Sequence, residues 1–184
     1  MKILLAIVAA AAAFLPVGPF ALDPAASRVE FQVKDNRGGF TGVARTVSVR
    51  AVVREQGGGF AADVEARIDA RDITTGIGAR DRQMRRDFLQ TDRFPAITFR
   101  GTAAPAARAG ALPFPAVLRG ELTIRDVTRR VEIPLEVTAL ADHYLADGRV
   151  TIRLSDYGIP IPRLLIFVAE DPVEVVLTIR LQRP

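Results

Sequence analysis

The sequence predicts an all-β fold: a closed antiparallel barrel of eight strands, with one short helix covering its rim. Three observations lead there. Eight segments alternate apolar with polar residues, and in each the apolar set keeps one parity, the period of a half-buried strand. Glycine-rich and Asp-Gly turns punctuate them, as in a meander of hairpins. Helical periodicity occurs once, too briefly to supply a second layer, so a sheet with one wholly apolar face has to close on itself.

The segments are 29–33, 47–53, 64–68, 97–99, 118–124, 131–137, 150–154 and 173–181. Their other parity is polar: Glu30 and Gln32, Ser48 and Arg50, Thr123 and Arg125, Glu132 and Glu136, Thr151 and Arg153, and Glu174, Thr178 and Arg180. Gly57-Gly58-Gly59 reads as the turn between the second and third segments, and Asp147-Gly148 as the turn before the seventh. Between 68 and 97 the period changes. Met84 and Phe88 lie four apart beside Leu89, with Arg82, Arg85, Arg86 and Asp87 free to face water, which makes a short amphipathic helix that acts as a lid.

Two stretches are irregular. The Pro/Ala segment 103–115 reads as a loop, with Leu112 and Phe114 as rim contacts. In 157–168, Pro160 and Pro162 argue against a central strand, yet Ile159, Ile161, Leu164, Leu165, Ile166 and Phe167 are too apolar for a solvated loop. That stretch is expected to cross an opening of the barrel or to tuck beneath it.

The N-terminus carries Met1-Lys2, an apolar run over 3–15, then Pro16, Gly18 and Pro19, the layout of a secretory signal peptide. We read 1–19 as that leader, with its end between 13 and 21, and 20–184 as one domain. The run is shorter than the roughly 20 apolar residues of a spanning helix. An export signal therefore suits it better than an uncleaved anchor and implies a periplasmic or secreted protein.

Composition removes several functions. The 184 residues contain no cysteine, which excludes disulfides, thiolate metal sites and a cysteine nucleophile. The net charge is +4, but Arg71-Asp72, Arg80-Asp81, Arg86-Asp87, Asp92-Arg93 and Arg125-Asp126 interleave the signs, unlike the basic stripe of a nucleic-acid binder. Transient contact with an anionic membrane surface is the charge-driven interaction that remains. The single histidine, His143, reads as an exposed loop residue, and there is no G-x-S-x-G elbow, P-loop or dinucleotide fingerprint. Asp69, Asp72, Asp81 and Asp87 each have an arginine within two residues and read as local ion pairs fixing the helix to the rim. No catalytic residue, metal ligand or cofactor is expected, and the sequence sets no oligomeric state.

Several motifs resemble those of the YceI-like family. Thr75-Gly76, Arg80-Asp81, Asp87-Phe88-Leu89, Phe94-Pro95 and Ile97-Thr98-Phe99 are similar to its central signature. Gly120-Glu121-Leu122-Thr123-Ile124 with Val127-Thr128-Arg129-Arg130-Val131 resembles its hairpin, and Asp156-Tyr157-Gly158-Ile159-Pro160 its late turn. Leu22-Asp23-Pro24 with Ser27, Val29 and Phe31 fits its opening strand, while Phe20, Ala26 and Asp126 stand where Trp, His and Gly are frequent. The resemblance implies a secreted, lipocalin-like barrel that binds a polyisoprenoid, such as a quinone tail or polyprenyl chain, or another long-chain lipid.

The cavity for such a ligand is then expected among the inward set: Phe31, Val33, Val47, Val49, Ile68, Met84, Phe88, Ile97, Phe99, Leu122, Ile124, Ile133, Leu135, Ile152 and Leu154. An eight-stranded barrel is wide enough either to fill with its own side chains or to hold one ligand. The alternative to a lipid carrier is thus a filled barrel acting through its rim loops as an interaction or stress-response module.

Overall fold

The computed structural model describes residues 15–57, 59–106, 113–164 and 166–182. Twelve strands follow in order: β1 (Gly18–Leu22), β2 (Arg28–Asp35), β3 (Phe40–Ala44), β4 (Val47–Gln56), β5 (Gly59–Asp69), β6 (Ile73–Thr74), β7 (Ala96–Pro105), β8 (Phe114–Ile124), β9 (Val127–Ala139), β10 (His143–Arg153), β11 (Arg163–Leu164) and β12 (Phe167–Gln182). Helix α1 (Gly78–Gln83) lies between β6 and β7 and continues as a π-helical turn over Met84–Leu89. Residues 1–14, read above as part of a leader, and Gly58, Leu112 and Leu165 lie outside the described residues.

Eight strands close the barrel in the order β1, β4, β5, β7, β8, β9, β10, β12, every pair antiparallel. The ring is completed by β1 against the end of β12, with Ala21 opposite Gln182 and Leu22 opposite Leu181. The rest of β12 pairs with β2, which carries β3 and then the short β6. This layer extends the wall at the end where the helix sits. Alternation alone did not reveal β1, β3, β6 or β11: the first two contain Gly or Pro, and the other two are two residues long.

The two ends of the barrel differ. At one, Phe20 meets Tyr144 edge to face at 5.6 Å and Phe60 meets Phe114 at 5.5 Å, geometry worth about 0.5–1.5 kcal/mol per pair beyond burial. Phe114 is thus a buried residue at the start of β8 rather than a rim contact. At the other end, Phe88 and Leu89 pack with Ile124, Tyr157 and Ile159, so the helix and the segment after β10 cover the opening together. Arg125, in the two-residue turn between β8 and β9, donates to the Gly158 carbonyl at 3.0 Å and ties that segment down. The tuck ends at Ile159; Ile161 and Ile166 face solvent.

The turn expected at Asp147-Gly148 is not there. Both residues lie inside β10, paired with Glu136 and Leu135 of β9, and the chain reverses at 140–143, where the Leu140 amide donates to the His143 carbonyl at 2.9 Å. Gly148 is present for room, since a Cβ there would press on the Leu135 side chain. Beyond this point β9 and β10 part, and Tyr157, 1% exposed, packs with Val127 and Ile152 at the gap. His143, expected exposed, opens β10 with 7% exposure beside Asp142 and Arg180.

Candidate functional site

The barrel encloses a cavity of about 1030 Å³, at the upper end of the range of roughly 300–1,000 Å³ typical of ligand pockets. Its wall is the inward parity of the strands. Phe31 and Val33 come from β2, Val47 and Val49 from β4, Ile68 from β5, Ile97 and Phe99 from β7, and Leu122 and Ile124 from β8. Ile133 and Leu135 of β9, Ile152 of β10 and Leu154 just after it complete the ring, and Met84 and Phe88 of the helical segment face in from the lid. Among the wall residues that the parity reading omitted, two sets stand out. One is the β12 row from Val173 to Leu181, which alternates as regularly as the rest; the other is the set of aromatic residues at the closed end, among them Phe20 and Phe60.

Part of the lumen is kept clear by a large ring that lies against bare backbone. Phe99 covers Gly101 and Gly120, a cross-strand pair of β7 and β8, and a Cβ on either glycine would run into both that ring and the neighbouring strand. The ring therefore lies along the wall instead of filling the centre.

Charged lining residues are confined to two stretches, Glu30, Asp35 and Arg37 on one and Arg80, Arg82 and Arg86 on the other. They meet at the lid end, where the Arg80 guanidinium lies 3.9 Å above the ring of Phe40, the first residue of β3. Arg80 also donates from Nε to Thr75 Oγ1 at 2.8 Å and from Nη2 to the Thr75 carbonyl at 3.2 Å. The ion pair expected between Arg80 and Asp81 does not form. Asp81, 6% exposed, instead accepts from the Thr74 hydroxyl at 2.6 Å, and from the Thr75 amide at 2.8 Å and the Thr75 hydroxyl. Burial pushes the Asp81 carboxyl up, but these hydrogen bonds and the nearby Arg85 charge together hold it below the usual carboxylate range.

The remaining acidic residues of this region have structural partners. Asp69 takes two guanidinium bonds and an amide bond from Arg71, which hold its carboxyl at about 2. Asp87 is paired with Arg86, and Asp72 accepts from the Thr46 hydroxyl rather than from an arginine. Among the described residues no three metal-ligating side chains gather, and no helix is long and apolar enough to cross a membrane. The arrangement is a tube with an aromatic floor, an apolar wall and a charged mouth.

The same barrel occurs in solved structures. The crystal structure of Burkholderia cenocepacia BcnA superposes with a TM-score of 0.73 at 21% identity, covering 86% of this chain and 98% of that one. A polyisoprenoid binding domain from Saccharophagus degradans, implicated in plant cell wall breakdown, gives 0.69 at 19% identity, covering 92% and 100%. The Campylobacter jejuni YCEI protein gives 0.53 at 18% identity, covering 74% and 83%. No curated protein sequence matches. The sequence profile of the YceI-like domain matches residues 20–181, and the chain belongs to that family.

Proposed function

We propose that the protein is an exported carrier that sequesters a polyisoprenoid, a quinone tail or a polyprenyl chain, in the barrel cavity. The observation that carries this reading is the apolar cavity of about 1030 Å³ with its charged lining residues confined to one end. Such a tube takes up hydrocarbon by removing it from water, worth about 0.8 kcal/mol per buried methylene, and needs no reacting group. We therefore read the protein as a binding protein rather than an enzyme, with the lipid as ligand and no cofactor. A barrel filled by its own side chains would leave no such space. The polyisoprenoid binding domain from Saccharophagus degradans shares the architecture and supports the choice of ligand class.

Export is part of the proposal. Phe20, 4% exposed, belongs to the aromatic floor, and Gly18 and Pro19 pair with Val53 and Val52. A leader removed after Ala13 spares all three, whereas removal after Ala21 deletes most of β1. The test of function is mass spectrometry of an organic extract of the protein purified from its own host. An isoprenoid in stoichiometric amount supports the carrier, and a lipid-free protein from lipid-replete cells overturns it.

A further inference from the structure

Among the described residues, most of the exposed large apolar side chains lie around the mouth of the cavity. Of the large hydrophobic residues that face solvent, Ile77, Ile161, Ile166 and Val168 lie on the segments that frame the opening, against Val17 and Leu140 at the floor end. The framing segments are joined to one another. Asn36 donates from Nδ2 to the Ile166 carbonyl at 2.8 Å and accepts from the Val168 amide at 3.1 Å, fixing the β11–β12 hairpin to the turn after β2. Arg80 over Phe40 fixes the start of the helix to the same turn. Ile77, Arg37 and Pro162 all border the cavity, so these tips surround its opening.

Arginines stand among the tips. Arg37, Arg82 and Arg163 are exposed, and among the described residues none has a carboxylate partner. Acidic groups nearby are engaged or outnumbered: Asp87 is held by Arg86, Glu30 by Arg28, and Asp35 accepts the amide of Arg37. Scattered isoleucines on a soluble surface need no explanation. Isoleucine tips interleaved with unpaired arginines around the opening of an apolar tube are the composition of an interfacial anchor, apolar groups entering the acyl boundary and cations meeting anionic head groups.

From this arrangement we infer that the rim formed by Ile77, Ile161, Ile166 and Val168 with Arg37, Arg82 and Arg163 docks on an anionic lipid bilayer and presents the cavity mouth to it. The inference rests on the carrier reading. Docked in this way, a chain leaving the bilayer enters the tube without crossing water.

The experiment is sedimentation with vesicles of pure phosphatidylcholine and of phosphatidylcholine with phosphatidylglycerol, together with uptake of geranylgeraniol from vesicle-free solution. Wild type is expected to bind the anionic vesicles and to release at high salt. Ile77→Ser with Ile166→Ser, and Arg37→Gln with Arg82→Gln, are each expected to weaken binding, about fivefold per arginine removed. Val17→Ser with Leu140→Ser, at the floor end, is expected to bind like wild type. Uptake of geranylgeraniol without vesicle binding, or rim variants that bind as wild type does, overturns the docking inference and leaves the carrier standing. Vesicle binding without uptake overturns the carrier reading, and with it the delivery role of the rim.

Discussion

The ring of Phe31 lies against the bare backbone of Gly42, its cross-strand neighbour on β3, and a Cβ at Gly42 would overlap that ring. The same ring meets Phe40 edge to face at 6.4 Å, and Phe40 in turn carries the Arg80 guanidinium. Glycine here sets how far the mouth aromatics lean into the lumen. Gly42→Ala is expected to push Phe31 inward, at an overpacking cost of about 1–3 kcal/mol, and to reduce lipid uptake by folded protein. Thermal melting and lipid per folded chain check it; uptake equal to wild type would mean that Phe31 does not limit the mouth.

Arg80→Ala removes two hydrogen bonds to Thr75 and the stack on Phe40. Losing this half-buried group is expected to cost about 1–3 kcal/mol in denaturant unfolding while the folded variant still retains lipid. A variant that melts like wild type yet loses its lipid would move Arg80 from scaffold to ligand contact.

Acid is expected to weaken the lid through Asp81. Its folded carboxyl titrates below the unfolded value of about 3.9, so the stability it contributes is present above that pH and lost as pH falls through the folded value. Asp69, held at about 2 by Arg71, acts in the same direction. The melting temperature should be level from about pH 5 to 7 and fall below about pH 4. Asp81→Asn should be less stable than wild type at pH 7, with the difference shrinking toward pH 3. A difference that stays constant over that range would mean that the charge of Asp81 is not what the threonines hold.

Strict alternation made most of the barrel legible, because side-chain period and burial coincide wherever one face is wet. It failed where a residue served packing instead of its usual local role. Gly148 resembles a turn residue but makes room for Leu135, and the displaced turn carried His143 from an expected loop into a buried strand end. Arg80 and Asp81 are adjacent in sequence, but Asp81 is buried against Thr74 and Thr75 while Arg80 turns over Phe40, so each bonds Thr75 instead of the other. The charged mouth was hidden for a different reason: its residues come from stretches more than forty positions apart, Arg37 and Arg82 among them, and only the closed barrel brings them together.

Sequencing the N-terminus of exported protein tests the leader. Phe14 is expected as first residue, because cleavage after Ala13 keeps β1 and the Phe20 contact with Tyr144. Intact Met1 in a membrane pellet would favour an anchor, and a mature chain starting at Leu22 would mean that the barrel closes without β1.

Whether the inward face of the strands holds a lipid chain can be read from β9. Ile133, 6% exposed, lines the cavity, while Glu132 beside it faces water and pairs with Arg119 at 3.0 Å. The measurement is isoprenoid bound per folded protein, by mass spectrometry, for wild type, Ile133→Phe and Glu132→Gln produced in the native host. About one chain per protein is expected in wild type and Glu132→Gln, and clearly less in Ile133→Phe, where the larger ring narrows the tube. Equal lipid in all three, or none in wild type, would contradict it.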